Sequence, residues 1–302
     1  FYLKKPSLRK AYLLSLSKFF LFDNDILRKY RKDQKYFYLT HGCFPLKNTI
    51  GKITVPNYVD FVLSPSGNVD NIIVKQFGLT SKEQCLHTGF PCHDIFYSKP
   101  EPLVFLSDYD KKIIWAPTFR KGGGYNRNDS TASYPLGIPL LETLDELANL
   151  NTYLSQRDIV LIVKLHPMQD ISDLELKQFS HIKFLTNQDL NRKNTNLYQL
   201  LMNSDALLSD YSAISYDYLH LDKPIGYVFS DLNDYKLGLS VDNVDDYIAG
   251  DKILSFNNLL HFIDNIYLEI DKNKEKRKEL FNKIFEKQDG ESCERLAQIM
   301  EL

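Results

Sequence analysis

Four apolar runs in this sequence are each followed by polar side chains that could bind an anion or move a proton. These side chains are His41 after residues 36–40, Thr118 and Arg120 after residues 112–116, Lys164 and His166 at the end of residues 159–165, and Asp210 and Ser212 after residues 206–209. In a parallel α/β sheet, ligands bind beyond the carboxyl ends of the strands. The agreement of four predicted strand ends therefore favours a functional site over four unrelated surface groups.

The residue types indicate that the bound group is a diphosphate. Arg120, Lys164 and the N–H groups of a helix starting at Ser212 would supply positive potential and hydrogen-bond donors. His41 would face them across a cleft, where a neutral imidazole can take the proton of an attacking hydroxyl group. His166 lies within the diphosphate-binding group, so we expect it to donate to a phosphate oxygen.

The stretch from Ala206 to Ile225 predicts a strand, a tight turn and a helix. The strand is predicted over Ala206–Ser209, and Ser212 occupies a natural N-cap position, so its hydroxyl group and that of Ser209 would converge with the first N–H groups of the helix. Such a point binds phosphate. The alternative is a strand–helix unit in which Ser212 merely caps its helix.

Predicted strands alternate with predicted helices along most of the chain, which is typical of a parallel α/β sheet, here in two successive copies. Pro100 and Pro102 indicate a domain boundary. We therefore expect an N-terminal acceptor domain over residues 1–108 and a C-terminal nucleotide-donor domain over residues 109–302. Residues 256–302 have an almost wholly helical period.

Composition excludes several classes of protein. The 302 residues carry a formal charge of -2, which gives no reason to expect nucleic acid. The four cysteines form no CxxC pair and the seven histidines form no HExxH motif, so a zinc site and a disulfide framework are not expected. No GxGxxG or GxxxxGK[ST] motif occurs, and we expect Gly122–Gly124 to form a mobile flap.

Residues 1–35 contain ten Lys or Arg against three Asp, interleaved with apolar side chains. A basic helix with an apolar side can lie on an anionic membrane surface. The other interpretation is a domain helix with a solvated basic face.

Six short motifs follow one another over residues 41–295. They are His41-Gly42 with Pro45-Leu46-Lys47 and Gly51; Thr88-Gly89-Phe90-Pro91 with Asp94; Trp115-Ala116-Pro117-Thr118-Phe119-Arg120; Lys164-Leu165-His166-Pro167; Ser209-Asp210-Tyr211-Ser212-Ala213 with Asp217, Tyr218 and Lys223-Pro224; and Asp289-Gly290 with Ser292, Glu294 and Arg295. In this order they resemble the CDP-glycerol glycerophosphotransferase family, the teichoic-acid and capsule polymerases and primases of bacterial envelopes.

The resemblance implies a GT-B-like α/β fold, in which two Rossmann-like domains with parallel sheets face each other and the C-terminal helix crosses back to the first domain. It implies that the acceptor oxygen attacks the phosphorus attached to glycerol and that CMP leaves. The donor substrate is then a CDP-alditol, with no cofactor and no metal ion.

Together with the strand-end argument, the resemblance implies catalytic roles for His41, as the base, and for His166. The residues assigned to donor binding are Gly42, Pro45, Lys47, Cys92, Thr118, Arg120, Lys164, Ser209, Asp210, Ser212, Ala213 and Asp217. Three features depart from the family pattern. Cys43-Phe44 adds a residue beside the base, Cys92-His93 replaces an arginine, and the strand and helix expected before the His-Gly motif look short or absent.

The predicted function is transfer of glycerol phosphate or ribitol phosphate from a CDP-activated donor to a teichoic-acid-like or capsular, polymer or lipid-linked acceptor. The enzyme would lie in the cytoplasm, peripherally on the inner face of the cell membrane, where residues 1–35 could contact anionic lipid. One alternative is a GT-B nucleotide-sugar glycosyltransferase of capsule or surface glycan synthesis. The other is a non-catalytic partner that binds a nucleotide or polymer during assembly.

Overall fold

The computed structural model describes residues 7–118, 134–165 and 179–301. The chain divides into two compact units. The first comprises Phe1–Pro45, Thr49–Asp94 and Lys283–Leu302, and the second comprises Leu46–Asn48 and Ile95–Asn282. The boundary predicted after residue 108 lies inside the second unit. The C-terminal segment belongs to the first unit, as the resemblance implied.

Strands and helices alternate through both units. The helices are α1 (Leu8–Leu16), α2 (Asp70–Phe77), α3 (Leu144–Ser155), α4 (Asn187–Arg192), α5 (Leu197–Met202), α6 (Ile214–Tyr218), α7 (Phe256–Tyr267), α8 (Lys274–Ile284) and α9 (Ser292–Ile299). The strands are β1 (Phe19–Phe22), β2 (Lys35–Tyr38), β3 (Phe61–Leu63), β4 (Cys85–Leu86), β5 (Lys111–Trp115), β6 (Ile159–Lys164), β7 (Ile182–Leu185), β8 (Ala206–Ser209), β9 (Ile225–Val228) and β10 (Asp251–Ile253).

The first unit contains a parallel sheet in the order β1-β2-β3-β4. The sequence predicted that a strand and helix before the His-Gly motif were short or absent, and the elements found there are short: α1 has nine residues and β1 has four. Helix α1 and strand β1 occupy that region, and β1 pairs in parallel with β2. Phe20 and Phe22 are buried against the ring of Tyr36, so aromatic packing holds this four-residue strand in the sheet.

The second unit contains a six-stranded parallel sheet in the order β10-β9-β8-β5-β6-β7. Its chain winds outward from β5 to β7 and then returns to the other side of β5 to continue from β8 to β10. This is the doubly wound strand order of Rossmann folds, in which the crevice between the first and fourth strands is the usual ligand site. Here those two strands are β5 and β8.

Both faces of this second sheet are covered by apolar side chains. All six residues of β6 are buried, because helices cover both sides of a parallel sheet and leave no polar face. Leu147, Leu150 and Leu154 of α3 pack into the same core. The helix begins at a capping box, in which Thr143 accepts from the N–H of Glu146 while the Glu146 side chain reaches back to Thr143. The structure confirms the predicted α/β class with two Rossmann-like units.

The C-terminal segment is fastened to the first unit by a carboxylate and an apolar contact. Asp94 accepts hydrogen bonds from the backbone N–H groups of Ser292 and Cys293, at 3.0 and 2.8 Å. Burial would raise the pKa of Asp94, but these hydrogen bonds outweigh it and lower that pKa. Leu296 of α9 packs against Phe37 of β2. The end of the chain is therefore a structural part of the first unit.

Within the three described ranges, none of the helices combines the length and apolar character needed to cross a membrane.

Candidate functional site

The ends of β5 and β8 are joined by Asp210, a buried carboxylate at the switch point of the second sheet. Its Oδ2 atom accepts from the backbone N–H of Thr118 at 2.9 Å, and its Oδ1 atom accepts from Thr118 Oγ1 at 2.7 Å. Both residues are nearly inaccessible to solvent. The two hydrogen bonds fix residues 116–118, which follow β5 directly.

Lys47 contributes an ammonium group to the same place. Residues Leu46–Asn48 belong to the second unit, where Lys47 pairs with Leu239 in an antiparallel bridge. Its Nζ atom lies 3.4 Å from Thr118 Oγ1. A cation, a hydroxyl group and the end of β5 thus meet in the second unit, although Lys47 lies far earlier in the sequence.

Lys164 is the last residue of β6, the strand next to β5. It is buried, and among the described residues its Nζ atom donates one hydrogen bond, to the backbone oxygen of Leu165 at 2.9 Å. Burial lowers the pKa of Lys164, and the charge of Asp189 opposes this only in part. A buried ammonium group with one carbonyl partner has donors left for an anionic ligand.

The predicted N-cap at Ser212 was wrong. The strand β8 has the predicted bounds, but α6 begins at Ile214, with Ala213 as its N-cap and no side-chain capping bond. The carbonyl oxygen of Ser212 accepts from the N–H and hydroxyl groups of Ser215, so Ser212 lies in the turn before the helix. Because α6 has only five residues, its dipole is too short to support the phosphate-binding argument by itself.

The other predicted residues of this edge are buried or half-buried. Ser209 donates weakly to the backbone oxygen of Ala116 at 3.4 Å, across from β5. Asp217 is buried on α6, and Ser212 and Ala213 are half-buried. Arg120, His166 and the glycine run at 122–124 lie outside the described residues.

In the first unit, His41 lies just beyond β2. Its side chain is exposed. The preceding Thr40 has a φ of 61°, a left-handed conformation that is rare for a β-branched residue, and its hydroxyl group donates to the backbone oxygen of Gly42 at 2.9 Å. Such strain costs on the order of 1–3 kcal/mol and tends to occur at functional sites. The turn holds His41 outward from the strand end.

Two further predicted donor-binding residues also lie in the first unit. Pro45 is half-buried, and Cys92 is exposed at the start of a short 3-10 helix, Pro91–Tyr97. His93, the neighbour of Cys92, is buried and its ring packs against Phe90 and Phe285, with centroids 5.3 and 5.5 Å apart. His93 therefore has a packing role in the first unit.

The sequence did not lead us to predict a site residue at the end of β9. Beyond this strand lies Asp231, whose Oδ1 atom accepts from the hydroxyl group of Tyr211 at 2.9 Å. The Tyr211 ring stacks on Tyr235 with centroids 4.0 Å apart. The strand-end rule would have found Asp231, because the apolar run Ile225–Val228 is also followed by polar residues.

Known proteins resemble this chain in sequence and in fold. The sequence profile of the CDP-glycerol:poly(glycerophosphate) glycerophosphotransferase family matches residues 2–302. The teichoic acid ribitol-phosphate primase of Bacillus spizizenii is 30% identical over 228 residues, covering 72% of this chain and 52% of the relative. The teichoic acid glycerol-phosphate primase of Bacillus subtilis is 29% identical over 240 residues, covering 78% and 52%.

The solved wall teichoic acid polymerase TagF has a similar fold. It superposes with a TM-score of 0.74 at 20% identity, covering 98% of this chain and 75% of that chain. The chain spans about half the length of the curated primases it matches. With a family profile over almost its whole length, this chain belongs to the CDP-glycerol:poly(glycerophosphate) glycerophosphotransferase family.

Proposed function

We propose that this protein transfers an alditol phosphate, glycerol phosphate or ribitol phosphate, from a CDP-alditol donor to a growing polymer or lipid-linked acceptor. Family membership and the names of the two primases support this proposal. For TagF, one variant structure was obtained after soaking with CDPG. The donor would bind to the second unit and the acceptor to the first.

One observation carries the proposal most strongly, namely the Asp210–Thr118 contact at the crevice between β5 and β8. Ligands of doubly wound sheets bind at this point. An acidic group would repel a diphosphate if it faced it, but both Asp210 oxygens are engaged by Thr118. We therefore assign Asp210 the role of positioning the loop after β5, while Lys47 and Lys164 supply the charge.

The proposed reaction is a single displacement at phosphorus. The acceptor hydroxyl oxygen forms a bond to the phosphorus that bears the alditol, and the bond from that phosphorus to the bridging oxygen breaks. The electron pair of the broken bond leaves with CMP, and His41 takes the hydroxyl proton. Lysine side chains stabilise the charge on the diphosphate oxygens. In this proposal no cofactor takes part, and no metal ion is required.

Calorimetric titration of the purified chain with CDP, CMP, UDP and GDP tests the donor class. We expect CDP to bind most tightly, followed by CMP, because the second phosphate adds contacts to Lys164 and Lys47. Tighter binding of UDP or GDP would replace the proposal with a nucleotide-sugar glycosyltransferase. Binding of CDP without CMP release from a CDP-alditol, whatever the acceptor, would indicate a non-catalytic binding partner.

Replacing Lys164 by methionine should weaken CDP binding by roughly 10- to 100-fold, the loss expected for charged hydrogen bonds. The same change should raise the free energy of unfolding at pH 7, because it removes a charge whose burial lowers the pKa of Lys164. Calorimetry and urea unfolding measure the two effects.

The pH dependence of stability gives a second check on Lys164. Between its lowered folded pKa and the unfolded value of about 10.4, the unfolded chain binds more protons, so this residue makes stability rise with pH. The rise should be smaller in Lys164→Met. A matched control for CDP affinity is Lys223→Met, since Lys223 is half-buried, burial lowers its pKa as well, and it donates to the backbone oxygens of Met202 and Ser204. We expect this control to reduce the rise of stability with pH in the same way and to keep its CDP affinity.

We also propose that α1 contacts an anionic membrane surface at the inner face of the cell membrane. Helix α1 has no buried residues, and Leu8, Tyr12 and Leu16 are 91%, 63% and 56% exposed, beside Arg9 and Lys10. The structure shortens the helix predicted for residues 1–35, because β1 follows from Phe19. Deleting all 35 residues would remove a strand of the sheet, so point substitutions are the sharper test.

The double substitution Leu8→Glu and Leu16→Glu should reduce co-sedimentation with phosphatidylglycerol vesicles several-fold without changing the unfolding midpoint. The matched control is Leu254→Glu, an equally exposed leucine at 56% in the second unit, which should bind vesicles like the unmodified chain. If the double variant, the Leu254→Glu control and the unmodified chain bound vesicles equally, α1 would be a solvated helix without membrane contact.

A further inference from the structure

A second imidazole lies at a strand end of the first unit. His87 follows β4 directly, as Ser64 follows β3, and β2, β3 and β4 are neighbours in one parallel sheet. Since adjacent strands are about 4.8 Å apart, the ends of β2 and β4 are separated by roughly 10 Å. His87 therefore shares the carboxyl edge of this sheet with the segment that contains His41.

A buried carboxylate holds His87. Asp70, in the first turn of α2, is 5% exposed. Its Oδ1 atom accepts from Ser64 Oγ at 2.6 Å, and His87 Nε2 lies 3.0 and 3.2 Å from its two oxygens. An ionised carboxylate only accepts hydrogen bonds, so Nε2 carries the proton. In the tautomer that donates Nε2–H to Asp70, the Nδ1 lone pair of His87 is available to accept a hydrogen bond.

The second nitrogen of His87 points toward another acceptor. Glu286 Oε2 lies 4.0 Å from His87 Nδ1, too far for a direct hydrogen bond. Glu286 is held by its backbone, because its N–H donates to the oxygen of Pro65 at 3.0 Å. Asn68 Nδ2 donates to the oxygen of Lys283 at 3.2 Å and further fastens this part of the C-terminal segment. His87 Nδ1 and Glu286 Oε2 are thus two hydrogen-bond acceptors that lie close together on an ordered backbone.

The neighbouring Cys85 thiol does not accept hydrogen bonds as a thiolate beside His87. Burial, together with the charge of Asp70, raises the pKa of Cys85 to about 12, so the thiol stays protonated near neutral pH. The cluster therefore offers an imidazole nitrogen and a carboxylate as acceptors, and no thiolate. Adjacent hydroxyl groups of a polyol match this arrangement, because each can donate one hydrogen bond to one of the two acceptors.

We propose that His87 Nδ1 and Glu286, with His87 oriented by Asp70, form a subsite in the first unit that binds adjacent hydroxyl groups of the alditol acceptor. The inference rests on the proposed function, since that function supplies the alditol. Asp70 is a positioning residue, because it acts through His87. A phosphate group suits this subsite less well than a diol, since Asp70 and Glu286 place two carboxylates around the imidazole and Lys287 Nζ, 3.6 Å from Glu286 Oε1, offsets only one of them.

The test uses ring-nitrogen NMR of histidine in the full, ¹⁵N-labelled chain. The probes are short glycerol phosphate and ribitol phosphate oligomers with a free terminal diol, and the same oligomers with that end phosphorylated. We expect the free-diol oligomers to shift the His87 ring signals and to leave those of His181, in the second unit, in place. The phosphorylated oligomers should bind at least tenfold more weakly.

Variants separate this subsite from a purely structural hydrogen bond between His87 and Asp70. His87→Gln should raise the KM for the acceptor about tenfold, the effect of one lost hydrogen bond to a polar partner, with an unchanged CDP affinity. Asp70→Asn should change the tautomer seen by NMR and weaken oligomer binding similarly. The control His181→Gln should match the unmodified chain. If Asp70→Asn fails to fold, His87→Gln and Glu286→Gln provide the same comparison.

The outcomes distinguish the subsite from the function on which it rests. His87 signals that do not move with either free-diol oligomer would overturn the subsite, whether or not the chain binds CDP. An unchanged acceptor KM in both His87→Gln and Glu286→Gln would do the same. A His87 shift in a chain that binds no CDP would preserve the polyol subsite and remove the donor assignment instead.

Discussion

Replacing His41 by alanine is expected to lower kcat by about two to four orders of magnitude, the usual contribution of a general base. The affinity for CDP should not change, because the imidazole acts on the acceptor hydroxyl proton and not on the diphosphate. The exposed side chain beyond β2 and the left-handed Thr40 before it support this role. Single-turnover release of CMP and calorimetry with CDP measure the two quantities separately.

The control for this substitution is His181→Ala, which removes an imidazole from the second unit and should leave kcat within a factor of about two, as for a surface change. Thr40→Gly provides a further comparison, since glycine adopts a φ of 61° without strain. We expect it to alter kcat less than His41→Ala does. Full turnover in His41→Ala would remove the base assignment, and His87 would then be the first residue to test in its place.

Asp210→Ala should produce the largest loss of stability among the proposed changes, about 2–4 kcal/mol in the free energy of unfolding. It leaves the N–H and hydroxyl groups of Thr118 buried without their acceptor, and each unsatisfied buried group costs roughly 1–3 kcal/mol. CDP affinity should fall as well, because the loop after β5 loses its attachment to β8. Urea unfolding and calorimetry are the measurements.

Two smaller changes at the same contact test the reasoning. Thr118→Ser keeps both hydrogen bonds to Asp210 and should cost less than about 1 kcal/mol, mainly the loss of a buried methyl group. Thr118→Val keeps only the backbone hydrogen bond and should be intermediate. If Asp210→Ala unfolded at the same urea concentration as the unmodified chain and bound CDP equally well, the positioning role of Asp210 would be wrong.

Local sequence was a sound guide to the strands of the second unit. The predicted bounds of β8 are those observed, and β6 differs by one residue at its end. These are short apolar runs flanked by polar residues, and in a sheet covered on both faces such a run has no amphipathic alternative. The residue types typical of helix N-caps were a weaker guide to where a helix begins. Ser212 has the right residue type for an N-cap, but the carbonyl oxygen of Ala213 accepts the first helical hydrogen bonds.

The first strand was missed for a related reason. Residues 19–22 are Phe-Phe-Leu-Phe, which fits a strand, but the surrounding positive charges favoured a basic helix. Pairing with β2 and burial of Phe20 and Phe22 outweigh that local preference, since strand formation depends on the partner more than on intrinsic propensity.

By itself, the sequence determined the α/β class, most of the strands, the residue types of the site and the family. Each of these depends on neighbouring residues or on short motifs in a fixed order. The tertiary structure alone decided the order of the strands and the partners of the charged groups. Thr118 and Asp210 are 92 positions apart, and His87 and Asp70 are 17 apart. Such pairs form because the fold brings distant segments of the backbone together, and a local pattern contains no record of that proximity.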